Sequence, residues 1–265
     1  MKWDFEEHTA VVTGAGSGIG AAVVASFVAA GARVIAVDLS EEGLVHRQEE
    51  LGPLGRRVVP IVADVSDSDG LRAVLGPECD AVGGIDHLVN CAASFVAAGV
   101  DATRRDWSRA LEVNVAGSAL LTAFVADRMP RGGTVVNISS ISAHVAQRDR
   151  WTYNATKAGI LALTRGQALD LAPRRIRVNA VSPGWIWTAE VAKAAQGDRA
   201  QWEPVWGRYH MLERLGEPSE VADAVLFLSS DGSTFITGTE LMVDGGYRAL
   251  GPEGLGETAR FASSD

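Results

Sequence analysis

Residues 9–20 constrain this chain more tightly than any other stretch. Thr9-Ala10-Val11-Val12-Thr13 is a short apolar, β-branched run that reads as a buried strand. It passes directly into Gly14-Ala15-Gly16-Ser17-Gly18-Ile19-Gly20 and then into an Ala- and Val-rich helical stretch that stops at Gly31. Strand, glycine turn and helix in that order predict a βα unit. The glycines allow a tight turn and the close approach of a pyrophosphate, and the helix N-terminus offers unpaired N–H groups and the positive end of its dipole.

The alternation continues without a Pro/Ser/Gly-rich linker to about residue 245. Strands are expected at 9–13, 33–37, 57–62, 86–89, 133–138, 176–181 and 239–243. Helices are expected at 18–30, 41–50, 68–80, 103–128, 152–172 and 218–229, with an irregular lid over 184–216. Such a pattern predicts parallel βαβ units in one α/β domain, a Rossmann-type doubly wound sheet over 1–246, followed by a tail at 247–265. Ligands of such sheets sit outside the carboxyl ends of the strands. The chemically interesting residues fall there: the glycine turn, Asp38, Asp64-Val65, Asn90, Ser139-Ser140 and Pro183-Gly184.

Asp38 ends the second strand, eighteen residues after Gly20. A carboxylate there can accept hydrogen bonds from both ribose hydroxyls and repels a 2′-phosphate. No basic residue stands at 15, 17, 39 or 40. NAD rather than NADP is the expected cofactor. Asp38 also suits a simple helix-capping role.

A net charge of −9 argues against nucleic acid and anionic membranes as partners. No apolar run approaches the length of a membrane span, and residues 1–8 lack the apolar core of a signal peptide. Cys79 and Cys91 are the only cysteines, which suits a reducing, cytoplasmic setting. The five histidines are scattered, so no metal site is expected.

Tyr153 and Lys157 lie four residues apart, one helical turn, with Ser140 thirteen residues upstream of the tyrosine. A cation near a phenol favours the phenolate and lowers its pKa from about 10. A phenol tuned in this way exchanges a proton with an alcohol or carbonyl oxygen.

With these residues in hand the chain closely resembles the short-chain dehydrogenase/reductase family over about residues 8–246. Thr13, Gly14, Gly18 and Gly20 match that family's T-G-x-x-x-G-x-G turn, and Asp64-Val65 resembles its adenine-contacting pair. Asn90-Cys91-Ala92-Ala93 stands where the family usually has N-N-A-G. Asn114 matches a long-helix asparagine, Ser140, Tyr153 and Lys157 match the catalytic trio, and Pro183-Gly184 with Thr188 resembles the P-G-x-x-x-T segment. Gly238 and Asp244-Gly245-Gly246 resemble the final strand and turn. The resemblance implies an NAD-dependent alcohol dehydrogenase or ketone reductase, usually tetrameric or dimeric; a homotetramer is expected here. Tyr153 would move the proton, Ser140 would bond the reacting oxygen and Lys157 would bond the nicotinamide ribose. Asn114 would hold a water in line with Lys157. Gly14, Ser17, Gly18, Ile19, Gly20, Asp38, Asp64, Val65, Asn90, Pro183, Gly184, Ile186 and Thr188 would join Tyr153 and Lys157 around the cofactor.

The partner would be a small-molecule substrate, a polar or cyclic secondary alcohol such as a sugar or polyol. Gln147, Arg150 and Trp185 are expected in its pocket by their position. Aromatic walls flank a ring or the apolar face of a sugar, and an arginine pairs with a carboxylate or phosphate. Two other readings remain open: a catalytically silent dinucleotide sensor or scaffold on the same fold, and a carbon–carbon or dehydration chemistry.

Overall fold

The computed structural model describes residues 3–130, 132–251 and 254. Seven strands run parallel in one sheet in the order β3-β2-β1-β4-β5-β6-β7. They are β1 (Thr9–Thr13), β2 (Arg33–Asp38), β3 (Val58–Val62), β4 (His87–Asn90), β5 (Gly133–Ile138), β6 (Ile176–Pro183) and β7 (Glu240–Val243). Each connection is helical or contains helix, as parallel pairing demands. The main helices are α1 (Gly18–Ala29), α2 (Glu41–Glu50), α3 (Ser68–Ala81), α4 (Arg104–Leu111), α5 (Ser118–Ala126), α6 (Trp151–Leu171), α7 (Ala189–Ala194), α8 (Arg199–Gly207) and α9 (Pro218–Ser229).

Alternation along the strands divides the core into two layers, because successive side chains point to opposite faces. Val12, Val34, Ala36, Val89 and Val181 meet Val23, Val24 and Phe27 of α1 and Val221 and Val225 of α9. Their neighbours Val11, Ile35, Leu88, Val135 and Val178 meet Leu71 and Leu75 of α3, Leu121 and Val125 of α5 and Ala168 of α6. Both faces are covered, which explains why the strands read as continuous apolar runs. Strand order reverses between β1 and β4, so a crevice opens above their carboxyl ends.

Two expectations are corrected. The helix expected at 103–128 is not uniform: α4 and α5 are joined by a π-helical turn over Glu112–Gly117, with Asn114 in its middle. Together Arg104–Ala126 is long and apolar enough to cross a membrane by length and composition, but half of its apolar 18-residue window is buried in the fold. The lid is not irregular, since it contains α7 and α8. Thr188 and Asp198 start these helices by accepting hydrogen bonds from Val191 and Gln201. The expected tail begins by packing back onto the lid, with the Tyr247 ring 5.2 Å from that of His210. Most of it, 252–253 and 255–265, lies outside the described residues.

Candidate active site

The crevice is a cleft of about 1030 Å³. At one end lies the glycine turn. Gly14 and Gly18 adopt φ values of 65° and 54°, the left-handed region that favours glycine. A Cβ on Gly14 would lie 2.9 Å from the backbone of Ala92, so the turn and the loop after β4 touch only because a side chain is missing. Thr13 ties the same two segments together: its Oγ1 accepts hydrogen bonds from the Cys91 and Ala92 N–H groups, both at 3.1 Å. Ser17 begins α1 without capping it through its side chain, and the first turn carries no acidic residue. The first-turn N–H groups are thus left without a side-chain acceptor at the cleft wall, a cradle suited to a pyrophosphate.

Asp38 lines this end, with Oδ2 accepting from Gly16 N–H and Oδ1 from Ser40 N–H, both at 2.9 Å. Val37, Leu39, Ala63 and Val65 form an apolar slot beside it. Asp64 accepts from Ser66 Oγ at 2.6 Å and pairs with Arg109 at 3.2 Å. Burial works against its charge, but the bonds from Ser66 and Arg109 outweigh it and hold the carboxyl below its ordinary range. Arg109, on α4, was not foreseen at this end of the cleft; its helix position gave no sign of facing Asp64.

Ser140, Tyr153 and Lys157 converge on the opposite wall. Ser140 leaves β5 in extended backbone, φ −172°, and its Oγ accepts from Ser142 N–H at 3.1 Å. The loop beyond it is anchored where His144 Nε2 donates to Glu240 of β7 at 2.7 Å. One stripe of α6, Thr152, Thr156, Lys157, Ile160 and Thr164, is buried against the sheet, and this turns Lys157 inward. Lys157 Nζ donates to the Ile138 carbonyl at 2.8 Å.

The expected depression of the Tyr153 phenol is not found. Burial pushes it up to about 12, against opposing pulls from a hydrogen bond with Ser140 and from the Arg150 charge. Lys157 lies 5.6 Å from the centre of the tyrosine ring, and burial brings its own pKa down to about 8.

Two expected site residues stand behind the wall rather than in it. Asn90 shares a face of β4 with Leu88 and points at α5, not into the cleft. Its Nδ2 donates to Thr122 Oγ1 at 3.0 Å and to Asn137 Oδ1 at 2.8 Å. Asn114 donates to the Ser94 carbonyl at 3.1 Å and to Thr156 Oγ1 at 3.0 Å, and accepts from Ser94 N–H at 2.7 Å. No hydrogen bond links it to Lys157 among the described residues. It stitches the loop after β4 to α6, so the structure gives it a positioning role. The π turn supplies its orientation, a distortion common near functional sites.

Every other expected residue lines the one cleft: Gly14, Ser17, Gly18, Ile19, Gly20, Asp38, Asp64, Val65, Pro183, Gly184, Ile186 and Thr188, with Gln147, Arg150 and Trp185. Thr188 closes the turn side, 3.4 Å from where a Gly18 Cβ would stand. The substrate side holds residues the sequence did not single out there. Phe95 stands edge-on to Tyr153 with ring centres 4.7 Å apart. Trp206 of α8 stacks on Trp185 at 5.3 Å, pinning the lid to the wall.

A family model described as enoyl-(acyl carrier protein) reductase matches residues 14–248. Galactitol 2-dehydrogenase (L-tagatose-forming) of Cereibacter sphaeroides is 38% identical over 90% of this chain and 94% of its own length. Cis-4-hydroxycyclohexanecarboxylate dehydrogenase of Sinomonas cyclohexanicum is 37% identical over 93% and 98%. A solved short-chain dehydrogenase/reductase from Brucella melitensis, titled glucose/ribitol dehydrogenase, superposes with a TM-score of 0.86 at 33% identity, covering 93% of this chain and 99% of that one. With the seven-stranded sheet, the glycine turn and the Ser140–Tyr153–Lys157 wall, these matches show that the chain belongs to the short-chain dehydrogenase/reductase family of oxidoreductases.

Proposed function

We propose that the protein is an NAD-dependent alcohol dehydrogenase, or in reverse a ketone reductase, acting on a small polar or cyclic secondary alcohol. The observation that carries this reading is the convergence of Ser140 and Tyr153 on one wall of the cleft, with buried Lys157 one turn along α6. Bound NAD would supply the acceptor for the hydride that leaves the carbinol carbon. Tyr153, as phenolate, takes the hydroxyl proton, and Ser140 stabilises the charge that develops on the same oxygen. Lys157 exchanges its bond to the Ile138 carbonyl for the ribose and brings its charge towards the phenol. Asn114 keeps the Ser94 loop and α6 in register so that the wall holds its shape.

The preference for NAD rests on Asp38, whose carboxylate a 2′-phosphate would have to approach. The Arg109 charge is engaged by Asp64. The relatives that act on galactitol and on a hydroxycyclohexanecarboxylate support a small polar or cyclic substrate. A homotetramer is the assembly the family resemblance implies, and the apolar side chains that α4, α5 and α6 leave outside, Leu111, Leu120 and Leu169, support contact between subunits. Two free cysteines suit a cytoplasmic setting. The test is NADH formation across polyols, sugars, hydroxy acids and cyclic alcohols. Turnover of at least one class is expected, and no reduction of NAD by any of them would overturn the reading.

A further inference from the structure

Arg150 is a cation at the substrate end of the cleft with no anion to meet. Its guanidinium carbon lies 5.1 Å from the centre of the Phe95 ring and 5.8 Å from that of Trp185. Among the described residues it has neither an ion pair nor a side-chain hydrogen bond. The neighbouring Asp149 adopts a left-handed φ of 54° and faces Gly99 instead. The other charges of the cleft are placed elsewhere. Asp38 holds the glycine turn, Asp64 and Arg109 hold each other, and Lys157 bonds Ile138. Glu190 and Lys193 ride on α7, whose capping residue Thr188 packs on the glycine turn.

The surroundings of Arg150 are built rather than loose. Phe95 sits in a loop fastened at three points: Asn114 bonds both backbone groups of Ser94, Thr152 Oγ1 donates to the Val96 carbonyl, and Thr152 N–H donates to Ala98 at 3.4 Å. Trp185 is held by its stack on Trp206. A guanidinium beside two aromatic faces keeps its N–H edge available for a planar, bidentate acceptor. Gln147, which also lines the cleft, spends its Oε1 on Ser142 Oγ at 2.7 Å, so what it has left to offer is its amide N–H donors. A sugar or polyol asks for acceptors as well as donors, whereas a carboxylate asks for donors alone.

We infer that the substrate is a secondary alcohol carrying a carboxylate, which Arg150 binds while the Phe95 and Trp185 rings pack on an apolar body between the two groups. The inference rests on the dehydrogenase reading above for its alcohol half. The span is set by Phe95, a single ring that touches both Tyr153 and Arg150. With 4.7 Å from the Phe95 ring centre to that of Tyr153 and 5.1 Å to the Arg150 guanidinium, the tyrosine ring and the guanidinium stand within about 10 Å of each other, which suits a hydroxy-substituted carbocyclic acid or a short hydroxy acid. A long acyl chain would leave Arg150 unmatched.

Binding and turnover test the two halves separately. Cyclohexanecarboxylate and cyclohexanecarboxamide are titrated calorimetrically into the protein, with and without NADH. The carboxylate is expected to bind about tenfold tighter or more, the scale of a hydrogen bond to a charged group. Arg150→Gln should erase that difference with NADH affinity and melting temperature unchanged, Arg150→Lys should retain part of it, and Tyr153→Phe should leave it intact. Equal binding of the two probes, no carboxylate binding, or an unchanged preference in Arg150→Gln each overturns the inference. Oxidation of 4-hydroxycyclohexanecarboxylate and of its carboxamide is measured in parallel. Equal kcat/KM for the two sinks the carboxylate and spares the dehydrogenase. Preferential carboxylate binding without oxidation of any alcohol in the wider panel keeps the subsite and removes the dehydrogenase reading.

Discussion

Lys157 donates a 2.8 Å hydrogen bond to the Ile138 carbonyl while buried to 3% exposure, so its ammonium is satisfied by the backbone of β5 rather than by any carboxylate. Burial without a counter-ion lowers its pKa from 10.5 to about 8. The folded state therefore binds its proton less well than the unfolded chain, and stability rises with pH between about 8 and 10.5. Tyr153 acts oppositely. Its phenol is raised to about 12, so stability is lost as pH climbs from about 10.

Lys157→Met should show this balance. At pH 7 removing the buried charge relieves about 3 kcal/mol. The orphaned Ile138 carbonyl gives back about 1–3 kcal/mol. The variant should melt within a few degrees of the native protein at pH 7 and fall behind it at pH 10, while losing both NAD affinity and turnover. Melting curves at the two pH values check this; a large deficit already at pH 7 that does not grow with pH would contradict it.

Asp38→Ala should weaken NAD binding and relax selection against NADP. The native preference for NAD is expected to be about tenfold or more, which needs only about 1.4 kcal/mol. Because Asp38 also accepts from Gly16 and Ser40, the variant should lose some stability as well. Asp38→Asn keeps one of these acceptors while removing the charge, so it isolates the electrostatic part. Equal kcat/KM with the two cofactors in the native protein would remove the assignment.

Asn114→Ala should act through geometry. It cuts three hydrogen bonds that join the Ser94 loop to α6. Lower kcat and raised KM are expected together with a lower melting temperature, and Asn114→Asp should restore part of the bond to Ser94 N–H. A variant with native stability and KM but lost proton exchange would favour a relay role instead.

Leu169, 76% exposed on α6, together with Leu111 and Leu120, is expected to be covered by neighbouring subunits. Light scattering at micromolar protein should give the mass of a tetramer, and Leu169→Glu should shift it downward. A monomeric mass for the native protein would overturn the assembly.

The parts of this site that could be read in the chain are those carried by local rules. Strand 9–13, its glycine turn and α1 announce themselves by composition, and Tyr153 and Lys157 by helical spacing. Asn90 was misplaced because a strand-end asparagine reads like a ligand residue, whereas its parity with Leu88 sends it to α5. The π turn at Asn114 left no mark in an otherwise apolar helix. Helices α7 and α8 are six and nine residues long, too short for a periodic pattern to stand out within the lid. Phe95 is a lone aromatic in a loop, and only Asn114 and Thr152, distant in sequence, fix it beside Tyr153. The phenol's pKa went the wrong way because a shared helical face does not bring an ammonium to the phenolic oxygen, and burial then decides the sign.

The most direct measurement is the single-turnover rate of Tyr153→Phe with saturating NAD and an alcohol that the native protein oxidises. In the proposed mechanism Tyr153 takes the hydroxyl proton, and general acid–base groups contribute about 10²–10⁴-fold. The account predicts a rate reduced on that scale, with NAD affinity within a few-fold of native and an unchanged melting temperature. A variant that keeps more than about a tenth of the native rate, with hydride transfer shown to limit it, would contradict the role of Tyr153.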